Sequence, residues 1–137
     1  MPDGFTVLIT DRNRHVRNFL RRELVTEGYQ VEVAADGRDL LRKISTAEPV
    51  DLLILDLEIP YSGGPAILER LRRVKSKLPV IIHAFTTEDA SHPAVQRTAA
   101  FVEKMGNPDR LKATVLEVLK EYYPNRYSTN QRESKEG

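Results

Sequence analysis

The sequence predicts an α/β protein: a three-layer, doubly wound parallel sheet of five strands with helices on both faces. Three observations predict it. Short, wholly apolar runs such as Val7-Leu8-Ile9 and Leu52-Leu53-Ile54-Leu55 read as strands buried on both sides of a parallel sheet. Segments with apolar residues at helical spacing alternate with those runs along residues 5–123. A chain of 137 residues is long enough for one domain with its own core.

The first strand, about Phe5–Thr10, runs into Asp11. The first helix, about Arg14–Thr26, places Val16, Phe19, Leu20 and Leu24 on one stripe, and Gly28 ends it. A second strand, about Gln30–Ala34, precedes a helix near Arg38–Ser45 that carries Leu40, Leu41 and Ile44. The third strand, Asp51–Leu55, runs into Asp56, and Pro60-Tyr61-Ser62-Gly63-Gly64 is a loop by its turn residues. The third helix, about Pro65 to Val74, turns Ile67, Leu68 and Leu71 inward, and Pro79–His83 is the fourth strand. Thr86 to Thr98 contains Pro93 and few apolar residues, so its helix is short or irregular. Ala99–Glu103 is the fifth strand. The last helix opens with Asn107 as N-cap, Pro108 in the first turn and Asp109 at the positive end of the dipole. Leu111, Val115, Val118, Leu119 and Tyr122 keep helical spacing along it, and Pro124 stops it. Residues 1–127 read as a single domain and the polar residues 128–137 as a disordered tail.

Composition removes several classes of function. There is no cysteine, hence no disulfide, thiolate nucleophile or cysteine-held zinc. His15, His83 and His92 lack ligand spacing; His83 reads as a partly buried strand residue. A net charge of +1 gives no general drive toward nucleic acid, and the arginines at 12, 14, 17, 21 and 22 read as a solvated helix face. Gly63-Gly64 is not followed by a P-loop lysine. No apolar run is long enough for a bilayer and the N-terminus does not read as a signal peptide, which makes a cytoplasmic location the expectation.

The chemistry-bearing residues are Asp11 and Asp56. A strand order of 2-1-3-4-5 is the common solution at this size, and its switch point lies between strands 1 and 3. The two carboxylates then stand side by side on strands ~4.8 Å apart, at the edge where open α/β sheets bind ligands. Asp11 can also serve as N-cap of the first helix. Arg12, directly after it, puts a cation where such a site would take another acid.

Asp56 is followed four residues later by Pro60 and then by Gly64; Lys104 follows the fifth strand; Phe101 precedes that lysine by three residues; Gly37 and Leu78-Pro79-Val80-Ile81-Ile82 complete the pattern. In these features the chain resembles the receiver domain of bacterial two-component response regulators over about residues 5–123. The resemblance implies a flavodoxin-like fold, Asp56 as phosphoacceptor and Lys104 as the lysine that contacts the phosphoryl group. It implies a Mg²⁺ ion held by Asp11 and Asp56, with Glu58 and Pro60 in the phosphoacceptor loop and switch positions at residue 84 and Phe101. It implies a histidine kinase or phosphotransfer protein as donor, an output protein or domain reached through helix 4, strand 5 and helix 5, and no enzymatic activity beyond self-phosphorylation of Asp56 from a phosphodonor.

Four departures bear on mechanism. Arg12 stands where receivers have a second acid, Ala84 where they have threonine or serine, Met105 where they have proline, and Gly63 where they have a loop acid. A cation about 5 Å from Mg²⁺ costs on the order of several kcal/mol at an effective dielectric of ~20, so Mg²⁺ binding is expected to be weak or absent. Alternatively, Arg12 pairs with Asp56 or Asp11 in place of the metal, giving a phosphorylation-independent interaction module. Ala84 has no hydroxyl, so Phe101 is expected to keep one orientation; Thr86 is the only nearby hydroxyl in sequence.

Overall fold

The structure is a computed structural model that describes residues 4–46, 49–60, 65–85, 90–104 and 107–127. Its elements are β1 (Thr6–Thr10), α1 (Arg14–Thr26), β2 (Gln30–Ala34), α2 (Gly37–Ile44), β3 (Leu52–Leu55), α3 (Pro65–Val74), β4 (Val80–Ala84), α4 (Pro93–Gln96), β5 (Ala100–Glu103) and α5 (Asp109–Tyr122). The strands form one sheet in the order β2-β1-β3-β4-β5. Every pairing is parallel, with Thr10 opposite Leu55 and Ala84 opposite Glu103.

Alternation along the strands builds two cores. Leu8, Leu53, Leu55 and Ile82 pack with Leu40, Ile44, Ile67, Leu68 and Leu71 on the α2/α3/α4 face. Val7, Ile9, Leu52, Ile54 and Ile81 pack with Leu20, Leu24, Leu111, Val115 and Leu119 on the α1/α5 face. The central strands β3 and β4 are therefore buried at every position, with His83 the one polar residue among them, whereas the edge strand β2 alternates. Among the described residues no helix is long and apolar enough to cross a membrane.

Local chemistry sets the element ends, with some differences from the sequence reading. Asn13, not Asp11, is the N-cap of α1; its Oδ1 accepts from the backbone N–H of His15 and Val16. Gly28 takes φ 101° beyond that helix, a left-handed conformation that costs glycine nothing. Pro108 rather than Asn107 occupies the N-cap position of α5, while Asn107 Oδ1 accepts from Asp109 N–H at 2.9 Å. The ring-fixed φ of Pro108 suits the helix entrance, so the cap moves one residue on. α4 is a single turn, capped by His92 Nδ1 at 3.1 Å from Ala94 N–H. Thr86, residues 61–64, Met105 and the proposed tail from residue 128 lie outside the described residues.

The end of α5 departs further. Tyr122 keeps helical spacing yet is 43 % exposed. Tyr123 takes the inward place, packing on Phe5 with ring centroids 5.8 Å apart and donating its hydroxyl to Asp51 O at 2.6 Å. Pro124 stops α5, but a helical turn follows over residues 124–127, and Tyr127 is buried in the α1/α5 core. That turn aims Arg126 at Asp51: Nη1 donates to Oδ1 at 2.6 Å, and the guanidinium carbon stands 4.5 Å from the Phe5 ring centroid. Asp51 Oδ2 also accepts from Thr6 N–H at 2.8 Å. One buried carboxylate thus ties β1, β3 and the C-terminal turn together at the sheet edge remote from Asp11 and Asp56. Asp51→Ala leaves Thr6 N–H without its acceptor and Arg126 with Gly4 O alone, and is expected to cost about 2–4 kcal/mol, read as a lower urea midpoint at unchanged m-value. A midpoint equal to that of the parent protein would show that this tie contributes nothing.

Candidate functional site

β1 and β3 end in register, and each delivers an aspartate to the C-terminal edge of the sheet. Backbone bonds hold both in place: Asp11 N–H donates to Ala34 O at 3.2 Å and Asp56 N–H to Thr10 O at 2.9 Å. The two side chains follow one plan. Asp11 Oδ1 accepts from Asn13 N–H at 2.8 Å, and Asp56 Oδ1 accepts from Glu58 N–H at 3.0 Å. Each carboxylate therefore uses one oxygen to turn its own chain out of the sheet. The other oxygens face Lys104, whose Nζ stands 2.7 Å from Asp11 Oδ2 and 3.3 Å from Asp56 Oδ2. All three side chains are buried, and burial of two like charges this close is tolerable only with the ammonium between them. Lys104 is brought there by β5, whose end is pinned when Lys104 N–H donates to Ala84 O at 2.8 Å.

Arg12 completes the cluster from solvent. Its Nε lies 3.7 Å from Asp56 Oδ2, its Nη2 pairs with the Glu58 carboxylate, and its side chain is 42 % exposed. The structure thus resolves the alternatives for Arg12: it meets Asp56 and Glu58, and it is Lys104 that takes Asp11. Pro60 closes the neighbouring loop through its carbonyl, which accepts from Gly37 N–H at 2.9 Å. Ala84 and Phe101 lie together on the α2/α3/α4 side, Ala84 buried and Phe101 half-buried against the core.

Two contacts and the depth of one side chain have no signature in sequence. Arg17 Nη1 donates to Asp11 O at 2.8 Å. The Phe85 ring, 69 % exposed, lies under Lys104 Nζ at 5.0 Å from its centroid. His83 is buried, 7 % exposed, because strand alternation turns it onto the α1/α5 face with Ile81 and Val102. Its identity as a strand residue was legible; its depth depends on the helices packed over it.

The donor set does not fit the Mg²⁺ ion that the resemblance implies. Mg²⁺ requires near-octahedral oxygen ligands, commonly one or two carboxylates with water and phosphate. Here each aspartate has one oxygen committed to a backbone N–H and the other to Lys104, and the place beside Asp56 is held by a guanidinium. Among the described residues no cluster of three His, Cys, Asp or Glu side chains could hold a metal.

Burial pushes the His83 imidazole down to about 4, Lys104 adds to that effect, and Asp11 and Asp56 oppose it. His83 is therefore neutral near pH 7. Because the unfolded chain takes up this proton first, His83 costs no stability above its unfolded pKa of about 6.5 and destabilises the fold as pH falls toward 4. The loss is expected to reach about 3 kcal/mol. It is read as the extra decline in urea-unfolding free energy of the parent relative to His83→Gln between about pH 7 and pH 4.5. Parallel pH profiles for the two proteins would contradict this.

A sequence model of the response regulator receiver domain matches residues 7–116. The response regulator MprA of Mycolicibacterium vanbaalenii is 38 % identical over 76 residues, 56 % of this chain and 32 % of that protein. The chain thus spans about a third of the length of the curated relatives it matches. The response regulator TrrA of Thermotoga maritima, solved in complex with Mg(2+)-BeF, is 29 % identical with a TM-score of 0.78, covering 84 % of this chain and 99 % of that one. TrrA in complex with the histidine kinase ThkA gives 29 % identity and a TM-score of 0.77 over 84 % of this chain and 98 % of that one. The family match spans the sheet and the carboxylate–lysine cluster at its edge, and this chain belongs to the response regulator receiver domain family.

Proposed function

We propose that the chain is a two-component receiver module that accepts a phosphoryl group on Asp56 from a histidine kinase or phosphotransfer protein. Its output is an attached domain or separate protein engaged through α4, β5 and α5. The observation that carries this reading is the asymmetry of Asp56. Oδ1 accepts from Glu58 N–H, while Oδ2 accepts from Arg12 N–H at 3.5 Å and faces the side-chain cations of both Lys104 and Arg12. Phosphoryl transfer to a carboxylate is mainly positioning and charge stabilisation, and Oδ2 is the oxygen placed for both. It would attack phosphorus in line; the P–N bond of a phosphohistidine breaks, and the imidazole, protonated on its other nitrogen, leaves neutral. Lys104 then compensates the charge gathering on the phosphoryl oxygens. The crystallised complex of TrrA with ThkA supports a kinase as the donor.

The test is intact-protein mass spectrometry after incubation with acetyl phosphate or phosphorylated histidine kinase. A single phosphoryl adduct that disappears in Asp56→Asn is the expected result. The Arg12–Asp56 pair favours a second reading, a phosphorylation-independent interaction module, and the absence of any adduct under all conditions would establish that reading instead.

Coupling to the output face has its own test. A conformational shift requires a group that interacts differently with the two states. Ala84 offers no hydroxyl to a phosphoryl group, and the missing charge-assisted bond removes about 1.5–3 kcal/mol of bias. Beryllofluoride is expected to leave NMR shifts around Phe101 unchanged even when Asp56 is occupied. Large shifts across β5 and α5 in an occupied sample would show that another group drives the switch.

A further inference from the structure

We infer that the phosphoryl site of this chain is bounded by two protein cations, Arg12 and Lys104, and operates without a divalent metal, with Glu58 holding Arg12 aside until the phosphoryl group arrives. The inference rests on Asp56 being the phosphoacceptor and deepens that reading. It starts from one oxygen. Asp56 Oδ2 has Lys104 Nζ at 3.3 Å on its buried side and Arg12 Nε at 3.7 Å on its solvent side.

The two cations differ in freedom. Lys104 is enclosed and shared between two carboxylates, so it stays where it is. Arg12 is 42 % exposed and its Nη2 holds a Glu58 carboxylate that is 53 % exposed, a type of pair that contributes little to stability. A phosphoryl group on Oδ2 brings about −1.5 to −2 charges and three acceptor oxygens, against the single charge of Glu58. A guanidinium pairs with such a group through two parallel N–H bonds. Arg12 therefore transfers from Glu58 to the phosphoryl oxygens, and the Glu58 carboxylate is released at the surface beside β3. This exchange differs between the two states, as the interaction at Ala84 does not, so it supplies a readout local to the β3 end.

With acetyl phosphate the step balances without a metal. Asp56 Oδ2 donates an electron pair to phosphorus to form the new P–O bond, the P–O bond to the acetyl group breaks, and acetate leaves with the electron pair of the broken bond; no proton is transferred. Arg12 and Lys104 neutralise the charge that develops.

The experiment follows adduct formation by intact mass on the full chain with acetyl phosphate, in excess EDTA and in Mg²⁺. The parent protein is expected to react at the same rate in both. Arg12→Ala should slow the reaction in EDTA by at least about tenfold, equivalent to about 1.4 kcal/mol of transition-state stabilisation. Arg12→Asp should react only with Mg²⁺, and Glu58→Gln, which frees Arg12, should accelerate the reaction in EDTA. Arg12 and Glu58 are surface side chains, and a thermal melt of each variant verifies folding. An adduct on Asp56 that forms in the parent only with Mg²⁺ overturns this inference and leaves the receiver reading standing. So does an Arg12→Asp variant that still reacts in EDTA. No adduct in the parent under either condition overturns both.

Discussion

The ammonium of Lys104 between Asp11 and Asp56 is the interaction on which the rest of this site depends. Topology brings two carboxylates to neighbouring strand ends and buries both. Without a cation between them, one would have to give up its charge or the strand ends would have to separate. Lys104 reaches them only because β5 lies beyond β4 in the same sheet and its end is fixed to Ala84 by a backbone bond. The Phe85 ring below the ammonium shields it from water, which strengthens both ion pairs. The lysine thus couples the order of strands to the electrostatics of the edge.

Around that fixed centre, Arg12 supplies an outer cation. Arg12 occupies the side of Asp56 that opens to solvent and ties itself to Glu58. The outcome is a site whose three carboxylates share two cations, Lys104 enclosed and Arg12 half-exposed. His83 registers the same field from below. Its imidazole is buried on the α1/α5 face near Lys104, and its Nδ1 has no hydrogen-bond partner among the described residues. A neutral imidazole is the only form that this position tolerates cheaply.

The two edges of the sheet divide the work. At one, turns after β1 and β3 lead the chain out of the sheet and leave Asp11 and Asp56 facing Lys104. At the other, Asp51 gathers Thr6, Tyr123 and Arg126 into a tie that fixes the N-terminal ends of β1 and β3. Strands held firmly at one edge can carry irregular loops at the other, because the apolar faces on both sides of the sheet keep the registers locked.

The sequence by itself determined the strand and helix order and the arrival of Asp11 and Asp56 at one edge. Those facts rest on local periods: apolar runs for buried strands, apolar stripes for helices, and the topology that alternation enforces. It also placed Arg12 directly after Asp11 and Ala84 at the end of β4. The tertiary structure alone decided which cation meets which carboxylate. Lys104 takes both aspartates, Arg12 turns to Glu58, and Asn13 rather than Asp11 caps α1. It likewise decided that Tyr123 replaces Tyr122 at the core and that Arg126 finds Asp51 across 75 residues of chain. Such pairings leave no periodic trace, because they depend on the register of separate strands, the rotamers of long side chains and the depth at which a charge can still reach a partner.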